Sequence, residues 1–327
     1  MLDLTTNYLG MTLRNPLIVA SCSLTKSPDQ VARCEANGAG AVVLKSLFEE
    51  QIQMEIQEIM DSAQSQWHPE SYDYIRQTKM EFGEEEYLDI IRESKKGTSI
   101  PVIASINCFS AKGWTDYAKQ IEMAGADAIE LNIATMPTDP SQMASEVEQH
   151  YFAIVEEVKK RVTLPIAVKI GPYFSSLPNF AAGLTHRGIS GLVFFNRFYQ
   201  FDVNTESLQV TGGNRFSDST ETSLPLRWIA LLAGRIKCDL ASSTGIHETG
   251  DIIKHLLVGA SAVQVCSSLY INGLSHLKTL TEGLTDWMLF HGFDSVDTFQ
   301  GILSLRHSKH PEHFTRMQYI KALVNIE

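Results

Sequence analysis

Residues 124–132 read AGADAIELN, and residues 259–266 read GASAVQVC. In each, a glycine closes a helical pattern and an apolar run starts almost at once. Gly125 and Gly259 stand where a helix must stop, and glycine enters the left-handed backbone at low cost. The runs that follow, 126–132 and 262–266, are continuous rather than alternating, which suits strands covered on both faces. Six more runs of this kind occur: PLIVA (16–20), AVVLK (41–45), PVIASI (101–106), PIAVKI (165–170), GLVFFN (191–196) and KCDLAS (237–242).

The segments between them read as helices. The stretch 27–37 opens with Ser27 as a cap and Pro28 at the first helical position, and stops at NGAG. The stretches 114–123 and 251–257 end at AGA and VGA. Eight strand–helix units with no break in composition predict an α/β protein: a (β/α)8 TIM barrel, one domain spanning residues 1–327. An open doubly wound sheet is the competing fold, but no G-x-G-x-x-G follows the first strand. Two long gaps, 49–99 and 198–223, are expected as insertions at the C-terminal face of the strands. The first contains QWHPESYDY, a candidate cover for the site.

The chain carries a net charge of -11, with 44% hydrophobic and 20% charged residues. That balance argues against nucleic acid or an anionic membrane as partner and leaves room for a small anionic ligand. No stretch approaches the roughly 18 apolar residues of a membrane span, and the N-terminus lacks a signal pattern. The five cysteines are scattered, without C-x-x-C or metal spacing, so neither zinc nor an iron–sulfur cluster is expected. Cys108 and Cys266 read as packing thiols. His307, His310 and His313 are interrupted by Pro311 and read as solvated surface. A cytoplasmic protein is expected.

A barrel of this kind works at the C-terminal ends of its strands. Those ends carry Ala20-Ser21, Lys45-Ser46, Asn107, Asn132, Lys169, Asn196, Ser243-Thr244-Gly245 and Ser267-Ser268. Strand ends are polar partly because they meet water. Two lysines embedded in VVLKS and IAVKI need a stronger reason, since a buried ammonium must find an anion or a polar partner. STG and CSS, each followed by a helical segment, suit a phosphate cradle.

With these residues placed, the chain resembles the dihydroorotate dehydrogenase family and the flavin domain of dihydropyrimidine dehydrogenases. The resemblance covers about residues 4–292. It is carried by NPLIVAS, VLKS, IASINC, AGADAIELN, PIAVKI, TGG, STGIHETGD and GASAVQVCSSLY, in that order. It implies an FMN-dependent oxidoreductase acting on a CH–CH group of a small cyclic substrate in pyrimidine metabolism. By the same resemblance, Ala20 and Ser21 lie beside the isoalloxazine. Lys45, with Ser46, and Lys169 contact the polar edge of the ring. Asn107 and Asn132 hydrogen-bond flavin or substrate, Asn196 binds substrate, and Gly212 and Gly213 line the cofactor. Thr244, Gly245, Ser267 and Ser268 hold its phosphate. A homodimer is implied.

The chain departs from the family pattern at several points. Thr135 stands where relatives carry a cysteine or serine base, and Pro137 replaces the asparagine of the same motif. SYDYIRQ replaces the substrate loop, Arg197 follows Asn196, and SSTGI replaces a glycine-rich turn. A threonine hydroxyl can relay a proton only if a neighbour or water accepts it. Two other readings therefore stay open: a flavin subunit that needs a separate electron-transfer protein, and a non-catalytic barrel that binds a phosphorylated ligand.

Overall fold

The computed structural model describes residues 2–48, 85–107, 111–198, 200–314 and 320. A short antiparallel hairpin, β1 (Thr6–Tyr8) and β2 (Met11–Leu13), precedes β3 (Leu17–Val19), α1 (Pro28–Ala36), β4 (Ala41–Val43) and β5 (Leu47–Phe48). A helix over residues 85–97, α2, leads into β6 (Val102–Asn107) and α3 (Ala111–Ala124). Then come β7 (Ala128–Asn132), α4 (Ala144–Arg161), β8 (Ile166–Ile170), α5 (Leu177–His186) and β9 (Gly191–Phe194). A second hairpin, β10 (Phe201–Asn204) and β11 (Gln209–Gly212), is followed by α6 (Ser223–Leu232), β12 (Asp239–Ser243), α7 (Thr249–Val258) and β13 (Ala262–Val265). The short α8 (Ser267–Asn272) and the long α9 (His276–His291) complete the named elements.

Eight strands run parallel in the order β4-β3-β13-β12-β9-β8-β7-β6, and pairing of β4 with β6 closes the ring. These are the eight runs read from the sequence, and the fold is a (β/α)8 barrel. The local signals act as expected. Ser27 Oγ accepts from Gln30 N at the start of α1, with Pro28 as its first residue. Gly125 and Gly259 hold φ of 93° and 110°, the left-handed conformation that frees each chain to turn into its strand.

The barrel interior is layered. At the base, Ile18, Val43, Ile103, Ala128, Ala167, Val193, Ala241 and Ala262 form an apolar floor. Tyr8, Leu9 and Leu13 of the first hairpin plug it from below. Two residues further along the strands, on the same inward parity, stand Ser105, Glu130, Lys169 and Gln264, all buried. A dry floor beneath a polar layer leaves access from the strand C-termini.

Strand two is interrupted. Val43 pairs with Ile103 and Leu47 with Ile106, so residues 44–46 oppose only two residues of β6. This is a β-bulge, which redirects side chains at barrel rims. Lys45 N turns to Thr25 O at 3.3 Å, and Ser46 N donates to Ser21 Oγ at 2.9 Å. The gap 198–223 holds the hairpin β10–β11, whose residues are mostly exposed. Among the described residues no helix is long and apolar enough to cross a membrane.

Candidate active site at the barrel mouth

A cavity of about 260 Å³ opens at the C-terminal ends of the strands, lined by residues that include Ala20, Ser21, Lys169, Asn196, Gln264 and Ser267. A buried polar chain lies beneath it. Lys169 Nζ donates to Gln264 Oε1 at 2.8 Å, and Gln264 Nε2 donates to Glu130 Oε2. Glu130 Oε1 lies 3.8 Å from Lys169 Nζ and has no hydrogen-bond partner. Glu130 and Gln264 are each 1% exposed and Lys169 is 7% exposed. The lysine thus has the anionic partner that its burial demands.

Beside it, Asn196 Nδ2 donates to Asn132 Oδ1 at 2.6 Å, joining the ends of β7 and β9. Across the mouth, a run of hydroxyls ties the bulge down. Ser21 Oγ and Ser46 Oγ are 3.0 Å apart, and Ser46 Oγ and Ser105 Oγ 2.8 Å. Tyr87 Oη of α2 donates to Ser105 O at 2.9 Å. Lys45 is half-buried on the bulge and Asn107 half-buried at the tip of β6. Lys45, Ser46, Asn107 and Asn132 are not among the residues lining the cavity.

The other end of the cavity has the chemistry of an anion cradle. Thr244 and Gly245 both have positive φ, 77° and 76°, after β12. Gly245 N donates to Ser217 Oγ at 3.3 Å, and Ser217 N donates to Ser267 Oγ at 3.1 Å. The Thr244 hydroxyl donates to Phe195 O at 3.1 Å, so that residue offers the cavity its backbone. Ser268 Oγ is buried without a partner. Asp251 accepts from His247 N and Glu248 N at 3.1 Å each, fixing the chain as it enters α7.

Three cations, Lys169, Arg197 and Arg215, line the cavity and no carboxylate does, in a chain of net charge -11. Arg197 is partly spoken for: its Nε donates to Glu221 Oε2 at 2.8 Å and an Nη donates to Asn214 O at 2.8 Å. Arg215 is exposed and faces the cavity.

Thr135 lies on the loop after β7, outside the lining. Its N–H donates to Tyr151 Oη at 3.3 Å, and Tyr151 Oη donates to Ile133 O at 3.1 Å. Burial raises the Tyr151 phenol above its ordinary pKa. Gly212 ends the exposed hairpin, and Gly213 N donates to Gln200 O at 2.6 Å, so neither lines the cavity. QWHPESYDY, SYDYIRQ and Cys108 lie outside the described residues. Among the described residues no three His, Cys, Asp or Glu side chains are grouped to hold a metal.

Sequence reading missed Glu130, Gln264, Arg215 and Ser217. Glu130 and Gln264 carried a signal: each is a polar residue in the middle of an apolar run, in AIELN and AVQV. Arg215 and Ser217 carried none, because the path of their loop sets their position.

A parallel eight-stranded barrel with a lysine-floored, hydroxyl-rimmed mouth is the frame of a small-molecule enzyme. Residues 72–288 match the model of the dihydroorotate dehydrogenase family, and the chain belongs to that family of oxidoreductases. It is 24% identical over 307 residues to the catalytic subunit of dihydroorotate dehydrogenase B (NAD(+)) of Pyrococcus abyssi, covering 90% of this chain and 97% of that protein. It is 24% identical over 312 residues to a putative dihydroorotate dehydrogenase A (fumarate) of Aeropyrum pernix, covering 91% and 97%. The chloroplastic dihydropyrimidine dehydrogenase (NADP(+)) of Arabidopsis thaliana is 24% identical over 213 residues, covering 59% of this chain and 50% of that protein.

Proposed function

We propose that this chain is an FMN-dependent oxidoreductase acting on a carbon–carbon single bond beside a carbonyl in a small cyclic substrate of the dihydroorotate or dihydropyrimidine type. The observation that carries the reading is the cationic lining of one cavity in an acidic protein. A phosphate monoester needs a cation and several fixed donors. Arg215 and the Ser217 and Ser267 hydroxyls are the donor set, with Gly245 N holding Ser217 Oγ in place. A flat heterocycle with imide oxygens needs donors on one edge, and Lys169 stands at the other end, held by Gln264. The residues present fit FMN.

When bound, FMN supplies a ring that takes up a hydride. The protein's part is binding, orientation and charge. Lys169, its ammonium fixed by Gln264 and Glu130, would hold a positive charge beside the polar edge of a bound flavin. Lys45 approaches the mouth from the bulge as a second cation. Asn132 and Asn196, already bonded to each other, present the remaining amide donors and acceptors to the substrate. Thr135 handles the substrate proton and passes it to water, since Tyr151 is held above its ordinary pKa and is a poor acceptor. Ala20 and Ser21 line the cavity and would contact the bound ring, whereas Gly212 and Gly213 stand outside that lining, at the end of the second hairpin.

The test is direct. The purified full chain is expected to be yellow, or to take up FMN stoichiometrically. Dihydroorotate, dihydrouracil and dihydrothymine are then screened under anaerobic conditions for bleaching of the flavin band. A colourless protein that cannot be loaded with FMN overturns the reading.

A second reading concerns electron outflow. The Pyrococcus abyssi relative is named as a catalytic subunit, which favours a separate electron-transfer protein here too, alongside a homodimer of this chain. Rapid reoxidation of the reduced lone chain by fumarate or NAD would remove the need for that partner.

A further inference from the structure

Lys169 and Glu130 are held close without closing on each other. Lys169 Nζ donates to Gln264 Oε1 at 2.8 Å, and Gln264 Nε2 donates to Glu130 Oε2. Glu130 Oε1 stands 3.8 Å from Lys169 Nζ, within ion-pair range but beyond hydrogen-bond range. It has no hydrogen-bond partner of its own. The Gln264 amide is thus a spacer that accepts from the cation with one atom and donates to the anion with the other. Lys169 and Gln264 line the cavity, whereas Glu130, 1% exposed, does not.

The surroundings leave Glu130 to this pair. Ala167 stands beside it in register on β8, and Ala128, two residues back on its own strand, belongs to the apolar floor. Ser105 is its register partner on β6, but the Ser105 hydroxyl is bonded to Ser46 Oγ. Tyr8, from the hairpin that plugs the floor, has a buried hydroxyl without a hydrogen-bond partner. Stability alone does not call for the ion pair, since apolar side chains of similar volume often replace one at no loss. What the spacer does achieve is to leave the ammonium at the cavity wall with a full negative charge behind it.

We propose that Glu130 is a positioning residue that acts through Gln264 and Lys169: it anchors the cation and offsets part of its charge, so that a bound flavin is harder to reduce than Lys169 alone would make it. This role rests on the FMN reading of the same cavity. A cation beside the polar edge of the ring favours the electron-rich reduced form over the oxidised one. A buried carboxylate behind that cation opposes it with little screening. Removing the carboxylate's charge therefore favours the reduced flavin. Removing the spacer lets the ammonium fall back onto Glu130 and favours the oxidised one.

The full chain is loaded with FMN, and its reduction potential is measured by anaerobic equilibration with reference dyes. Glu130→Gln keeps an acceptor for Gln264 Nε2 and loses the charge. It is expected to shift the binding ratio towards reduced FMN by about tenfold, a rise of about 30 mV for a two-electron couple. Gln264→Met is expected to lower the potential. The opposite signs separate a charge effect from a general loosening of the site, which would move both variants the same way. An unchanged or lowered potential in Glu130→Gln overturns the role, and so does an unchanged or raised one in Gln264→Met, which decides alone if Glu130→Gln does not fold. A parent chain that takes up no FMN fails the proposed function and this role with it. A parent that holds FMN while both variants keep its potential fails this role alone.

Discussion

Lys169 Nζ lies 2.8 Å from Gln264 Oε1, although β8 and β13 are separated in the ring by β9 and β12. The contact crosses the barrel interior and joins an ammonium, an amide and the Glu130 carboxylate into one buried chain. Removing either charged member leaves the other uncompensated. Lys169→Ala is expected to cost about 3–5 kcal/mol in urea unfolding and to abolish tight FMN binding. Lys169→Met combined with Glu130→Gln removes both charges. It should recover most of the stability but not the flavin affinity. If Lys169→Ala binds FMN and turns over like the parent, the role given to Lys169 is wrong.

Arg215 is an exposed cation lining the same cavity as Ser217, Gly245 and Ser267. Its charge-assisted bond to a phosphate is expected to contribute about 1.5–3 kcal/mol. Arg215→Ala should therefore weaken FMN by about tenfold or more in a fluorescence titration, while riboflavin, which has no phosphate, binds as before. Equal losses for both ligands would place the phosphate elsewhere.

Gly245 combines φ of 76° with a crowded neighbour. A Cβ there would stand 2.3 Å from Thr222 N and 2.8 Å from Glu221 C. The left-handed backbone alone costs about 1–2 kcal/mol for any other residue. Gly245→Ala is expected to lower the thermal midpoint and to push residues 221–222 outward. Weaker FMN binding should accompany the loss.

Thr135 is held by Tyr151, so its role separates into two tests. Thr135→Ala is expected to lower kcat by about 10²-fold, the lower end of a proton-transfer contribution, with FMN affinity unchanged. Thr135→Ser should retain most of the activity. Tyr151→Phe loses the hydrogen bond to Ile133 O and is expected to cost about 1 kcal/mol of stability. Full activity in Thr135→Ala would move the proton to another group.

His255 sets a pH dependence of stability. It is 0% exposed, its Nε2 lies 2.7 Å from Thr222 Oγ1, and burial lowers its pKa from 6.5 to about 3. The unfolded chain therefore binds a proton that the folded chain refuses. The stabilisation is complete above pH 6.5 and is lost as pH falls from there towards 3, by up to about 1.4 kcal/mol per pH unit. Denaturation curves across this window should show the slope in the parent and lose that part of it in His255→Gln. Both proteins should have pH-independent contributions from this site above pH 7.

Much of the barrel was legible in the chain because its signals are local. Continuous apolar runs mark strands covered on both faces, and Ser27, Pro28, Gly125 and Gly259 act within a few residues of themselves. The bulge at residues 44–46 was not legible, because AVVLK (41–45) reads as unbroken strand. Only the register against β6 reveals the extra residue. At the candidate site, Lys169 announced itself by being charged inside IAVKI. Ser217 did not: nothing in its own loop places it beside Gly245.

The sequence by itself determined the eight strands, their parallel burial and the ring of polar residues at their tips. Each of those follows from hydrophobic periodicity and turn chemistry over fewer than about a dozen residues. The tertiary structure decided which side chains meet. Gln264 is 95 positions from Lys169 and 134 from Glu130, and Ser217 reaches Gly245 from a separate loop. Such contacts depend on strand order and register, which no single segment encodes, and so the chemistry of the mouth belongs to the closed barrel.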